Sequence, residues 1–258
     1  MDAVVTAGGI PLPGEPLYPF TKGSEKALLD VAGKPMIQWV LGALDGAKVV
    51  DRIIVMGLEK PSAVHVSKPV WFEDNRGSLL ENIRGGVKKA LELNPKERHI
   101  LLVSSDIPGI QPNMVDWIAE TAMQTDDDLY YNVIEKKVME GRFPGSRRTY
   151  THLKGQDLAG GDLNVIRTIT ATSDDKLWDR IIAARKNTFA QAALVGYDIL
   201  VLLLLRMIDL DSAVKIISRR LKIKGRVLIC PYAEVGMDVD KPHQLEIMRA
   251  ALAPYAKE

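Results

Sequence analysis

Apolar residues along the first half of the chain keep changing their period. DAVVTA from Asp2, DRIIVMG from Asp51, KPVWFE from Lys68, RHILLVSSD from Arg98 and DLYYNVIEKKV from Asp128 are short runs rich in β-branched and aromatic residues. Such runs predict strands. Between them, apolar residues recur at helical spacing in PMIQWVLGAL from Pro35, SLLENIRGGVKKALEL from Ser78 and PNMVDWIAETAM from Pro112. Proline suits the first turn of a helix, where its missing N–H costs nothing. The alternation predicts an α/β protein with a mostly parallel central sheet covered by helices.

From Gly141 the rhythm changes. GRFPGSRRTYTHLKGQDLAGGDLNVI is rich in Gly, Arg and Thr and predicts a loop and hairpin insertion. Three helix-length segments follow, DDKLWDRIIAARK, FAQAALVGYDILVLLLLRMI and DSAVKIISRRLKI, then a strand in RVLIC and a closing helix in PHQLEIMRAALA. With no internal repeat or low-complexity tract, the expectation is one domain over 1–258 with a loop and helical insertion at about 141–225. The longest apolar stretch, Ile199 to Leu205, is bounded by Asp198 and Arg206. A membrane span needs about 20 apolar residues, so this is read as a core helix whose exposed face suits a homodimer.

Composition adds limits rather than a function. The chain has 258 residues, 47% hydrophobic and 26% charged, and its 34 Lys and Arg against 33 Asp and Glu leave a formal net charge of +1. No global field therefore points to nucleic acid or an anionic membrane. Cys230 is the one cysteine, so no intramolecular disulfide forms, and with no signal-like segment after Met1 the expected location is cytoplasmic. His65, His99, His152 and His243 show no metal-binding spacing.

The chemistry gathers where strands end. In open α/β sheets, ligands bind beyond the carboxyl ends of strands. Gly8 and Gly9 follow the first strand, where they can take positive φ and let backbone amides approach a phosphate. The pattern is neither GxGxxG nor GxxxxGK[ST], which disfavours a dinucleotide dehydrogenase and a P-loop kinase. Lys26, a short loop later, places a cation where phosphate charge can be neutralised. Asp106 ends the strand LLVSS, at a rim position where Mg²⁺ can be held by one or two carboxylates plus phosphate oxygens, or where it can cap the following helix. In MDVDKPHQLEIM, Asp238 and Asp240 alternate, and either can complete a metal site or cap the last helix.

Taken in order, TAGG, SEKALLDVAGKPMIQWVL, GSLLENIRGGVKKAL, LLVSSDIPGI and MDVDKPHQLEIM resemble the molybdenum-cofactor guanylyltransferase-like group of nucleotidyltransferases. The resemblance covers roughly the first 130 residues and the last 25 or so. It implies a three-layer, Rossmann-like nucleotide-diphospho-sugar transferase fold of the GT-A type. It also implies an NTP bound along Ala7, Gly8 and Gly9, with Lys26 contacting phosphate and Asn82 beside the nucleotide. Asp106 would bind Mg²⁺ and Asp240 would supply the second metal ligand. The implied reaction is transfer of an NMP from an NTP to a small phosphorylated acceptor with release of pyrophosphate.

The departures from that group matter as much. Its members carry GxGxRM after the first strand, and here GGIPLPGEPLYPFTKG stands instead, without the arginine. Either Lys22 substitutes, or the loop moves in from elsewhere, or catalysis is weak or lost. The middle segment offers Arg148, Gly160, Gly161 and Lys186 to a phosphorylated acceptor, since Arg can hold phosphate by paired hydrogen bonds. A GT-A type glycosyltransferase and a non-catalytic nucleotide-binding domain are also compatible with the pattern.

Overall fold

Strand β1 (Asp2–Thr6) sits centrally in the sheet of this computed structural model, which describes residues 1–61, 63–172 and 197–255. A small hairpin pairs β2 (Asp30–Val31) with β3 (Lys34–Pro35). Parallel to β1 run β4 (Arg52–Met56) on one side and β6 (His99–Ser104) on the other, with β5 (Val70–Glu73) outside β4. Alternate residues of these strands face opposite layers: Ala3, Val5, Ile53 and Val55 pack into one core, and Val4, Ile54 and Met56 into the other. Burial on both faces explains why the strands read as nearly continuous apolar runs.

Helices form the outer layers. A single helical turn, α1 (Tyr18–Thr21), lies in the loop after β1. Helix α2 (Met36–Gly46) covers one face, while α3 (Leu79–Leu93) covers the other with Leu80, Ile83, Val87 and Ala90. That spacing is one stripe of a helix, and Ser78 caps it by accepting from the Glu81 N–H. Helix α4 (Pro112–Ala122) packs beside α2, so the parallel half is a three-layer α/β sandwich.

The second half of the chain extends the sheet with antiparallel pairings. Strand β7 (Leu129–Glu135) gives way to a short helix, α5 (Lys136–Arg142), where the sequence predicts continued strand through Val138. Lys136, Lys137 and Glu140 are good helix formers on the solvent side while Met139 is buried, so a short helix suits the pattern better than an extended edge. A hairpin of β8 (Thr151–Leu153) and β9 (Gln156–Gly160) pairs with the end of β7, and β10 (Leu163–Arg167) enters between β6 and β7. The stretch predicted as loop and hairpin therefore contributes three strands to the main sheet.

Helix α6 (Thr168–Thr172) follows β10. The predicted helix from Asp174 to Lys186 lies outside the described residues, as does the start of the next. Its described part is α7 (Tyr197–Leu204), and α8 (Leu210–Leu221) comes after it. Both pack on Val133, Leu153 and Leu158, leaving Leu204, Leu205 and Met207 exposed. Strand β11 (Gly225–Ile229) pairs parallel with β7, and α9 (Pro242–Leu252) closes the face shared with α2 and α4. Among the described residues, no helix is long and apolar enough to cross a membrane.

Register fixes where the chain leaves the sheet. Thr6 lies opposite Met56 on one side and Ser104 on the other, so the segments after β1 and β6 emerge side by side. Leu163 lies opposite Val103, which brings Asp162 to the same rim, its carbonyl accepting from the Ser104 N–H at 2.8 Å. Helix α3 approaches the sheet closely at Gly86, where an added Cβ would stand 2.3 Å from Val4 Cγ1. Gly86→Ala should therefore cost about 1–3 kcal/mol of stability through overpacking. Urea denaturation measures this, and an unchanged midpoint would show that the helix can shift without penalty.

Candidate functional site

A cleft of about 600 Å³ opens at this rim, walled by Thr6, Gly8 and Gly9 on one side and by Asn75, Gly77, Ser78 and Leu79 on the other. Its floor is Ser104, Ser105 and Asp106, and Lys26 stands at its edge. Two asparagines hold the walls together. Asn75 donates to the Gly8 carbonyl at 3.1 Å and accepts from the Gly77 N–H at 2.9 Å, while Asn82 donates to Asn75 and accepts from the Arg76 N–H at 2.8 Å. Asn82 thus lines the cleft with its polar groups already engaged in shaping the loop.

Gly8 has no room for a side chain. A Cβ there would sit 2.7 Å from Asn75 Nδ2, and Gly57, at φ 88°, presses on Gly8 from behind. Neither Gly8 nor Gly9 adopts the positive φ expected from the sequence, and Gly9 faces open space. Close approach, not backbone handedness, requires glycine at position 8. The Gly9 carbonyl accepts from the Lys26 N–H at 2.8 Å, which pins the lysine's backbone to the glycine loop.

From that anchor the Lys26 ammonium donates to Asp106 Oδ2 at 2.6 Å and also to Asp240 Oδ1. Lys26 and Asp106 are largely buried, whereas the Asp240 side chain is 56% exposed. Burial pulls the lysine's pKa down, but the Asp106 and Asp240 carboxylates outweigh it and hold the ammonium above its ordinary value. Asp240 does not cap α9, because Gln244 accepts from the N–H groups of both Asp240 and Lys241. Nor does Asp106 cap α4, which begins after Gln111. The Asp106 carbonyl accepts from the Val239 N–H at 2.9 Å, so the two acidic segments are joined through their backbones as well.

Two further acids complete the cluster. Asp238 pairs with Arg148. Burial, then the negative charges of Asp106 and Asp240, push Asp162 up to about 7, against the opposing pull of Arg148 and Lys26. Four carboxylates thus share two cations, an excess of negative charge that a divalent cation would offset. Asp106 Oδ1 is buried without a hydrogen-bond partner, while the neighbouring Asp240 carboxylate is exposed. Among the described residues, no three His, Cys, Asp or Glu side chains gather into a ready-made metal cage. Two carboxylates plus phosphate oxygens and water are nevertheless a sufficient donor set for a hard cation.

Residues 4–204 match the family model for the MobA-like NTP transferase domain. The chain belongs to that family. It is 32% identical over 96 residues to a probable molybdenum cofactor guanylyltransferase of Thermococcus gammatolerans, a match covering 37% of this chain and 47% of that protein. The chain thus spans about half the length of that curated relative. A hypothetical transferase from Thermus thermophilus is 33% identical, with a TM-score of 0.80 over 95% of this chain and 100% of that one. A CMP:2-keto-3-deoxy-manno-octonic acid synthetase solved with CTP is only 15% identical, with a TM-score of 0.58 over 98% of both chains, and shares the fold.

For a member of this NTP-transferase family, the sequence places most of the rim but misses its joinery. Ala7, Gly8, Gly9, Lys26, Asn82, Asp106 and Asp240 all lie at or beside the cleft. Lys22 does not line it; it ends α1 in a left-handed conformation, φ 50°, with its side chain exposed. Arg148 is bonded to Asp238, and Gly160 and Gly161 let the chain pass tightly against Tyr131 and Asn132 between β9 and β10. Lys186 is outside the described residues. Local pattern alone does not single out Asn75, although NRG just before a Ser helix cap is a turn signal that marks the loop.

The raised pKa of Asp162 has a stability consequence. Between its unfolded value near 3.8 and its folded value of about 7, the folded state holds the extra proton, so this group lowers stability as pH rises through that window. In chelator-treated protein, Asp162→Asn should raise Tm above wild type by an amount that grows from about pH 4 to pH 7 and then levels off. A Tm difference independent of pH would contradict this.

Proposed function

We propose that this chain is a Mg²⁺-dependent nucleotidyltransferase that moves an NMP group from an NTP to a small phosphorylated acceptor. The observation that carries the reading is the meeting of Lys26, Asp106 and Asp240 at the edge of a cleft, beside the glycine loop that forms one of its walls. A phosphate oxygen of the acceptor attacks the α-phosphorus, the bond from that phosphorus to the β-phosphate bridging oxygen breaks, and pyrophosphate leaves. No protein nucleophile is required, because alignment of the reactants and neutralisation of charge supply the catalysis.

Asp106 and Asp240 would hold the ion, which when bound withdraws charge from the phosphate oxygens it touches. Lys26 binds phosphate and steadies the charge moving toward the leaving group. The narrow wall at Gly8 lets the chain draw close to the nucleotide, and Asn75 with Asn82 keeps that wall in place. The acceptor approaches past Asp162 from the side of Arg148, Gly160 and Gly161, where the Arg148–Asp238 pair positions the segment that carries Asp240.

A thermal-shift screen of the four common NTPs with Mg²⁺ should single out one base, since a ligand that favours the native state raises Tm. With that NTP and a panel of phosphorylated acceptors, wild type should release pyrophosphate, and Asp106→Asn should lower the rate by on the order of 100-fold or more. Full activity in Asp106→Asn would remove this residue from the site. Tight NTP binding without pyrophosphate release across the panel would argue for a binding domain instead.

A further inference from the structure

The Lys26 ammonium stands where an ion would have to sit. It donates to one oxygen of Asp106 and one of Asp240, the same two carboxylates that the proposed function gives to the metal. The other oxygen of Asp106 is sealed from solvent. An ion approaching this pair must therefore displace the ammonium or open the packing around Asp106. An ammonium and a divalent cation on the same two carboxylates repel strongly at such range.

Lys26 is suited to leave. Its backbone is fixed to Gly9, but its side chain is a flexible four-carbon stem carrying a compact charge, which exchanges partners without rebuilding the loop. Among the described residues that line the cleft it is also the one cationic side chain, so phosphates placed there have this ammonium close by. Transfer of the ammonium from carboxylate to phosphate would uncover ligand oxygens as nucleotide arrives.

We propose that Lys26 is an internal counter-ion that blocks the divalent-cation site and yields it when nucleotide phosphates draw the ammonium away. Resting on the nucleotidyl-transfer reading, this makes metal affinity a property of the nucleotide-bound protein. The metal-free rim is held together by the lysine, and free divalent ion alone binds poorly. Binding is then ordered, with the ion arriving on the nucleotide or after it.

The test uses Mn²⁺ alone as the probe, counted by electron paramagnetic resonance on chelator-treated full-length protein. Lys26→Gln should bind Mn²⁺ at least about tenfold more tightly than wild type in the absence of nucleotide, and Lys26→Gln with Asp106→Asn should lose that gain. Equal affinity in Lys26→Gln and wild type would overturn the proposal. Wild type gives an independent readout should the variant fold poorly: acetylation of Lys26, followed by mass spectrometry, should rise several-fold at Mn²⁺ concentrations that fill the site. Unchanged acetylation at full occupancy would also overturn it. Pyrophosphate release by wild type with Mg²⁺, NTP and the panel of phosphorylated acceptors is scored separately; its presence beside a failed Mn²⁺ result removes only the counter-ion idea, whereas its absence across the panel removes the transferase reading.

Discussion

An ammonium shared by two carboxylates is the constraint around which this rim is arranged. Lys26 lies 80 residues before Asp106 and 214 before Asp240, so the contact joins the glycine loop, the end of β6 and the approach to α9. A carboxylate as enclosed as Asp106 is costly to bury without a cation, and a lysine as enclosed as Lys26 is costly without an anion. Neither would stay in place alone. The backbone bonds from Lys26 to Gly9 and from Val239 to Asp106 hold the segments at the spacing this mutual need requires.

The sheet provides the location and the loops provide the shape. Parallel strands β1 and β6 end side by side, so whatever follows them meets at one rim, and the antiparallel β10 delivers Asp162 to the same place from the other direction. Asn75 and Asn82 then tie the glycine loop to the start of α3. The glycine at position 8 is a consequence of that tie, since the Asn75 amide occupies the space a side chain would need. The packing of Gly86 on Val4 carries the arrangement inward, because it sets the height of α3 above the sheet.

Much of this was legible in the sequence, for physical reasons that differ between the halves. Strands such as DAVVT and HILLV are buried on both faces, so their composition declares them, and the stripe from Leu80 to Ala90 declares α3. The strand LNVIR is short and reaches the sheet through an antiparallel crossing, so local pattern gives no sign that it separates β6 from β7. The site residues at strand ends were readable because position and chemistry coincide there. The pairing of Arg148 with Asp238 was not, since a contact between residues so far apart leaves no periodic trace. Sequence distance from Gly9 says nothing about the direction in which the Tyr18–Thr21 turn points Lys22, which stands exposed and off the cleft lining.

The loop from Ile10 to Lys22 follows from the same charge balance. It buries Pro11 and Leu17, ends in an exposed lysine, and brings no cation to the cleft wall. A triphosphate would therefore add negative charge to a rim where Asp106, Asp162, Asp238 and Asp240 already exceed Lys26 and Arg148. Lys26 cannot neutralise the phosphates and both of its carboxylates at once. Compensating charge has to come from solution, and the carboxylates the lysine leaves behind are the groups able to receive it. A protein that kept an arginine in this loop could bind phosphate and retain its internal ion pair. Under the counter-ion proposal, a single lysine placed between them would couple the two events.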